Sequence, residues 1–369
     1  MKRPITAAVA AACLVATVAA SSAVADSPAY TVVAGGLHSP RGLSFSPDGT
    51  LYVAEAGLGS GTTTTQPGFG LTGRVSAIDG ATGSAASVRT VLDSLPSAAA
   101  SDGTVGPAGI STQGNGNIDV IMSLSQQETG LPSPIGHLLK LTPSGQSRSL
   151  ADVGDFDYAW STDNQSLAPH DFPDSNPYGV LAVPGGEYVA DAGTNTLDWV
   201  SASGRISVLA FFPNNTLADA TPTCIAQGPD GALYVGTLAF VDSLGSILNP
   251  HLPPPHPAAI VYRVDPANAD PSSLTSVLTL ATPWATSLWP ITGCASDGTN
   301  LYVSEFISGV GQTGPYGDVV SIPFSNPSAQ TTLTGGTLAF PGGVAVGPDG
   351  KVYVSNQSTS SNGQVVRIN

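Results

Sequence analysis

The sequence predicts an all-β fold, a six-bladed β-propeller whose ring is closed by an N-terminal strand that completes the last blade. Three observations predict it. A hairpin-forming unit returns six times, two more strands follow most units, and the strand missing at the C-terminus reappears near the N-terminus.

The unit is clearest in "PRGLSFSPDGTLYVAEAG" from Pro40. It returns as "PAGISTQGNGNIDVIMS" from Pro107, "PYGVLAVPGGEYVADAG" from Pro177 and "PTCIAQGPDGALYVGT" from Pro222. The last two are "PITGCASDGTNLYVSE" from Pro290 and "PGGVAVGPDGKVYVSN" from Pro341. Each reads as a strand of small apolar residues, an Asp-Gly or Gly-rich turn, and a second strand rich in Tyr and Val. Such turns need the positive φ that Gly and Asp tolerate, so each unit opens with a β-hairpin.

Third strands follow in "GRVSAID", "GHLLKLT", "TLDWVSA", "AIVYRVD", "GDVVSIP" and "GQVVRIN". Fourth strands are expected in "VRTVLDSL", "SRSLADVG", "RISVLAFF", "LTSVLTLA" and "AQTTLTGG". The sixth unit ends at Asn369 without one, and "YTVVAGGL" from Tyr30 supplies it, covering an edge otherwise open to pairing. First strands should crowd the ring axis, where the sequence places Gly42, Ala108, Gly109, Gly179, Cys224, Ala226, Cys294, Ala295 and Gly343.

Residues 1–25 carry the layout of a secretory signal peptide. Lys2 and Arg3 precede an apolar stretch, and Ala23-Val24-Ala25 forms a small-residue cleavage signal. The expected mature chain, 26–369, is one propeller domain, exported and without a membrane span. It holds 9 basic and 26 acidic residues, a net charge of −17 (9 − 26). That charge repels phosphate backbones and argues against nucleic acid as a partner. Divalent cations and neutral ligands remain compatible with it.

Strand direction places the long loops on one face of the ring: 56–73, 155–176, 238–257 and 306–317. Binding residues concentrate on such loops, so a small molecule, glycan or protein is expected to bind that face. The 155–176 loop, with Asp155, Asp157, Tyr158, Trp160, His170, Asp171 and Asp174, is expected to form its lip. Asn176 and Tyr178 leave that loop into blade 3, and Arg41 begins the first strand of blade 1. Arg41 either pairs with a carboxylate such as Glu55 or grips an anionic group of a ligand.

Second strands end on the same face, at Glu55, Ser123, Asp191, Thr237, Glu305 and Asn356. A short polar group there can cap the backbone of the adjoining turn. Alternatively Glu55, Asp191, Glu305 and Asn356 are oxygen donors suited to Ca²⁺, which makes calcium a candidate cofactor. The five histidines show no zinc-type spacing. Cys224 and Cys294 occupy near-equivalent places in adjacent first strands, within reach of a disulfide or left as buried thiols.

"HSPRGLSFSPDGTLYVAEAG", "DSNPYGVLAVPGGEYVADAGTNTL" and "PTCIAQGPDGALYVGTLAF" together resemble the ScyD/ScyE family of exported propeller proteins. The resemblance covers nearly the whole mature chain and implies the six-bladed fold, with no agreed reaction. "GNIDVIMS" in blade 2 and Thr237 depart from the family pattern. The architecture is more distantly similar to six-bladed lactonases, but fold does not fix function. Two hypotheses follow: a binding or scaffold propeller, and a Ca²⁺-dependent lactonase-like hydrolase. The sequence has no G-x-S-x-G, H-E-x-x-H or C-x-x-C motif.

Overall fold

The computed structural model describes residues 29–60, 68–100, 103–214, 216, 219–308, 310–311 and 314–369. The signal-peptide expectation at 1–25 lies outside them. Six antiparallel sheets form the blades of a propeller. Blade 1 contains Pro40–Phe45, Leu51–Glu55, Gly68–Asp79 and Ser87–Ala100, with Gly103–Val105 added at its outer edge. Blade 6 is completed by Tyr30–Leu37, which pairs with Gly363–Ile368 in the register Tyr30↔Ile368 to Leu37↔Gly363. The ring closes through the N-terminal strand that the repeat count called for. Among the described residues no helix is long and apolar enough to cross a membrane.

One expected strand is a helix. "LTSVLTLA" forms Leu274–Thr279, capped by the Ser273 side chain accepting from the Ser276 N–H. A capping serine before apolar residues at helical spacing favours a helix over a strand. The fourth strand of blade 4 is instead Thr282–Leu288. The 155–176 segment also holds a helix, Val153–Asp163, with the Asp152 side chain accepting from the Asp155 N–H.

Second strands are buried along their whole length in blades 1, 2, 4 and 6, because both faces of a mid-blade strand meet neighbouring blades. Each blade interface has its own apolar cluster. Tyr353 and Val365 meet Leu43 and Val53 between blades 6 and 1. Ile121 and Leu138 meet Val180 and Val189 between blades 2 and 3.

At the axis the first strands touch backbone to backbone. A Cβ on Gly42 would lie 2.8 Å from the Ala108 carbonyl oxygen, and one on Gly343 would lie 2.6 Å from that of Arg41. Those distances exclude any side chain, which explains a small residue here in blade after blade. Blade 4 places Cys224 at this level, joined to Cys294 of blade 5 in a disulfide with Cα atoms 5.6 Å apart.

Candidate functional site

At four of the six positions that end strand two, the side chain accepts from a backbone N–H in the segment that leads into strand one of the same blade. Thr237 instead exchanges hydrogen bonds with the Ile260 backbone of the neighbouring strand. Glu55 accepts from His38 at 2.5 Å, Asp191 from Asn176 at 2.7 Å, Glu305 from Trp289 at 2.9 Å and Asn356 from Ala339 at 2.8 Å. A first strand is entered from a loop, and its leading amide has no partner in the sheet. A short acceptor at the end of the neighbouring strand fills that vacancy.

Around this shared bond the four environments differ. Glu55 is fully buried and also accepts from Arg74 Nε at 2.8 Å and from the Ser76 hydroxyl at 2.5 Å. Asp191 takes further N–H bonds from Gly193 and Thr194 at 2.8 and 2.9 Å, and a hydroxyl bond from Ser175 at 2.7 Å. Glu305 has no comparable set of donors among the described residues. Burial, and secondarily the charge of Asp318, push its carboxyl up to about 7 against the pull of the Trp289 N–H. Among the described residues no three His, Cys, Asp or Glu side chains meet as a metal-ligating group. The structure therefore does not bring Glu55, Asp191 and Glu305 to a common ion.

Arg41 and Tyr178 are brought together. Both stand at the second place of a first strand, on the face that carries the long loops, in blades 1 and 3. The Arg41 guanidinium donates to the Tyr178 hydroxyl at 2.8 Å and to the Thr104 carbonyl at 2.7 Å. Its carbon lies 5.5 Å from the centroid of the Tyr178 ring, within cation–π range. Nε is sealed from water with no partner. Blade 6 holds the Arg41 backbone in place, with its carbonyl accepting from Gly343 N–H at 3.0 Å and the Ser355 hydroxyl at 2.7 Å. No carboxylate pairs with Arg41 among the described residues, because Glu55 is taken by Arg74, 2.8 Å away.

Other residues expected at the site lie elsewhere. Asn176, partly buried, accepts from the Leu124 N–H at 3.3 Å and so joins blades 2 and 3. Asp157, expected on an exposed lip, is fully buried because the helix turns it inward with Val153 and Ser161. Trp160 packs against Phe172 and Phe211, with ring centroids 6.4 and 6.2 Å apart. Beside it a cavity of about 530 Å³ is lined by Phe156, Trp160, Val208, Leu274 and Val277 on the rim of blades 3 and 4. A second cavity, of about 730 Å³, opens on the short-turn face between blades 2 and 3. There Lys140 lies 2.7 Å from Asp119 and also contacts Glu187. Burial, ahead of the opposing pull of Lys140, pushes Asp119 up to about 6.

Two ion pairs went unread in the sequence although register encodes them. Arg74 is the cross-strand partner of Glu55, and Lys140 that of Asp119. Aligning the second and third strands of each unit residue by residue would have found both.

No family model matches the chain, and no curated protein matches it in sequence. Solved β-propeller structures do match in fold. An auxiliary nutrient binding protein from Bacteroides thetaiotaomicron is 10% identical with a TM-score of 0.52, over 90% of this chain and 70% of that one. A regucalcin from Agrobacterium tumefaciens, described as a calcium-binding protein, is 14% identical with a TM-score of 0.49 over 89% of each chain. A virginiamycin B lyase from Staphylococcus aureus is 14% identical with a TM-score of 0.47, over 85% of this chain and 76% of that one. At such identities the likeness bears on the fold alone.

Proposed function

We propose that this chain is an exported binding propeller whose long-loop face recognises a small ligand through an acidic or carbonyl group, with Arg41 as the anchoring donor. The observation that carries this reading is the Arg41 guanidinium. It is held between Tyr178 and the Thr104 carbonyl and, among the described residues, engages no carboxylate and keeps Nε without a partner. In a chain with 26 acidic and 11 basic residues, a guanidinium with no carboxylate partner among the described residues can offer its N–H donors to an incoming acceptor. The leader-like N-terminus and the Cys224–Cys294 disulfide both support export. A metal-dependent lactonase needs Glu55, Asp191, Glu305 and Asn356 to share one ion, whereas each serves the entry of its own blade.

The test is a thermal-shift screen of small carboxylates, lactones and oligosaccharides. Each ligand that stabilises the chain is then titrated against Arg41→Gln and Trp160→Ala. The expected result is a hit weakened at least tenfold by Arg41→Gln and unchanged by Trp160→Ala. Hits indifferent to Arg41→Gln but lost with Trp160→Ala would move the site to the rim cavity and refute the reading.

A further inference from the structure

The interface between blades 2 and 3 contains a polar arrangement that neither packing nor the proposed ligand site uses. Val153 of the Val153–Asp163 helix joins the apolar cluster of Ile121, Leu138, Val180, Val189 and Val200. Asp157 follows it by four residues, so it projects from the same helix face into the same dry interface. Asp198, in the third strand of blade 3, pairs with Val189 in the sheet and is likewise fully buried.

Three oxygens of these two carboxyls, Asp157 Oδ1, Asp157 Oδ2 and Asp198 Oδ1, are sealed from water with no donor group reaching them, while the Asp157 carboxyl lies within hydrogen-bonding reach of those of Asp198 and Asp191. The fourth, Asp198 Oδ2, accepts from the Thr196 hydroxyl at 3.1 Å. No ion pair among the described residues reaches either side chain. The neighbouring Asp191 brings another buried carboxyl, its oxygens already satisfied by amides and by Ser175. Burial first, then the charges of Asp198 and Asp191, drive the Asp157 carboxyl well above its ordinary range.

Buried carboxyls facing each other without a counter-charge must either take up protons or hold a cation. One proton shared between Asp157 and Asp198 satisfies two of the three oxygens, and a second shared with Asp191 is needed for the third, whereas a single cation serves them all. Asp157 and Asp198 also come from different elements, a linker helix and a blade strand, which one ion between them would fasten together. We propose that Asp157 and Asp198 hold a hard divalent cation of the calcium class between the linker helix and blade 3. Such an ion takes six to eight oxygen ligands, so the two carboxylates form its charged core and neutral oxygens complete the shell. This site shares no residue with the Arg41 mouth, and its failure would leave the binding reading untouched.

The first measurement is the metal content, by mass spectrometry, of the wild-type chain dialysed against calcium and then against calcium-free buffer. The second is thermal unfolding in EDTA and with CaCl₂ restored, for wild type, Asp157→Asn and Asp198→Asn. One equivalent of retained calcium is expected. At calcium one hundred times the dissociation constant, the ratio of folded to unfolded wild-type chain should rise about a hundredfold. Either Asn variant should lose that response. A wild-type chain that retains no calcium and melts identically in EDTA and CaCl₂ would overturn the proposal in favour of shared protons. An undiminished calcium response in both Asn variants would also overturn it, by placing the ion elsewhere. Should a variant fail to fold, the metal content of the wild type decides alone.

Discussion

Replacing Arg74 with Met tests whether Glu55 is built into the fold as a buried, paired carboxylate. Glu55 is fully buried, and its oxygens receive four donor contacts. Two of those come from Arg74, through Nε and a terminal nitrogen, both at 2.8 Å. Met keeps the aliphatic stem of Arg74 but removes both, leaving a buried charge with the His38 N–H and the Ser76 hydroxyl. Breaking a buried pair from one side destabilises by about 3–5 kcal/mol. Arg74 keeps 23% of its side chain exposed, so part of its charge is screened and the lower end, about 3 kcal/mol, applies. Equilibrium urea denaturation of wild type, Arg74→Met and the double variant with Glu55→Gln measures it. The double variant carries no stranded charge and should recover part of the loss, since Gln still presents an oxygen to the His38 N–H. A loss below about 1 kcal/mol in Arg74→Met, or no recovery in the double variant, would refute the reasoning. Glu55 would then be free for a role other than fastening blade 1.

Two further outcomes follow from the same bonds. The folded-state pKa of Glu305 is raised from 4.5 to about 7, so the native state holds its proton more tightly than the unfolded chain does. Stability from this group is complete below pH 4.5 and is lost as pH rises through 7, up to about 3 kcal/mol. Glu305→Gln should flatten that decline between pH 5 and 8 in denaturation curves; an unchanged slope would reject it. The Cys224–Cys294 bridge closes a span of 70 residues across blades 4 and 5, worth about 4 kcal/mol on the chain-entropy account. Paired Cys→Ser substitutions should lower the thermal midpoint by several degrees, and dithiothreitol should reproduce the effect in the wild type and not in the variant.

Much of this protein was determined by its sequence alone. Turn chemistry and two-residue alternation are local properties, so six Asp-Gly or Gly-rich turns between apolar runs were enough to count the blades. A strand missing at one terminus and present at the other was enough to close the ring through Tyr30–Leu37. The shared position of Glu55, Asp191, Glu305 and Asn356 was also legible, because a repeat preserves place. Their partners were not. Whether a carboxylate meets an amide, a guanidinium or another carboxylate depends on atoms tens of residues away. Thus Glu55 received Arg74, while Glu305 was left with one main strong donor. Only the tertiary structure set Arg41 of blade 1 against Tyr178 of blade 3, since 137 residues separate them and no local pattern links their side chains. The same holds for Asp157 and Asp198. Helical turn and strand alternation fix which way each side chain points, but only the docking of the helix on blade 3 makes the two point at each other.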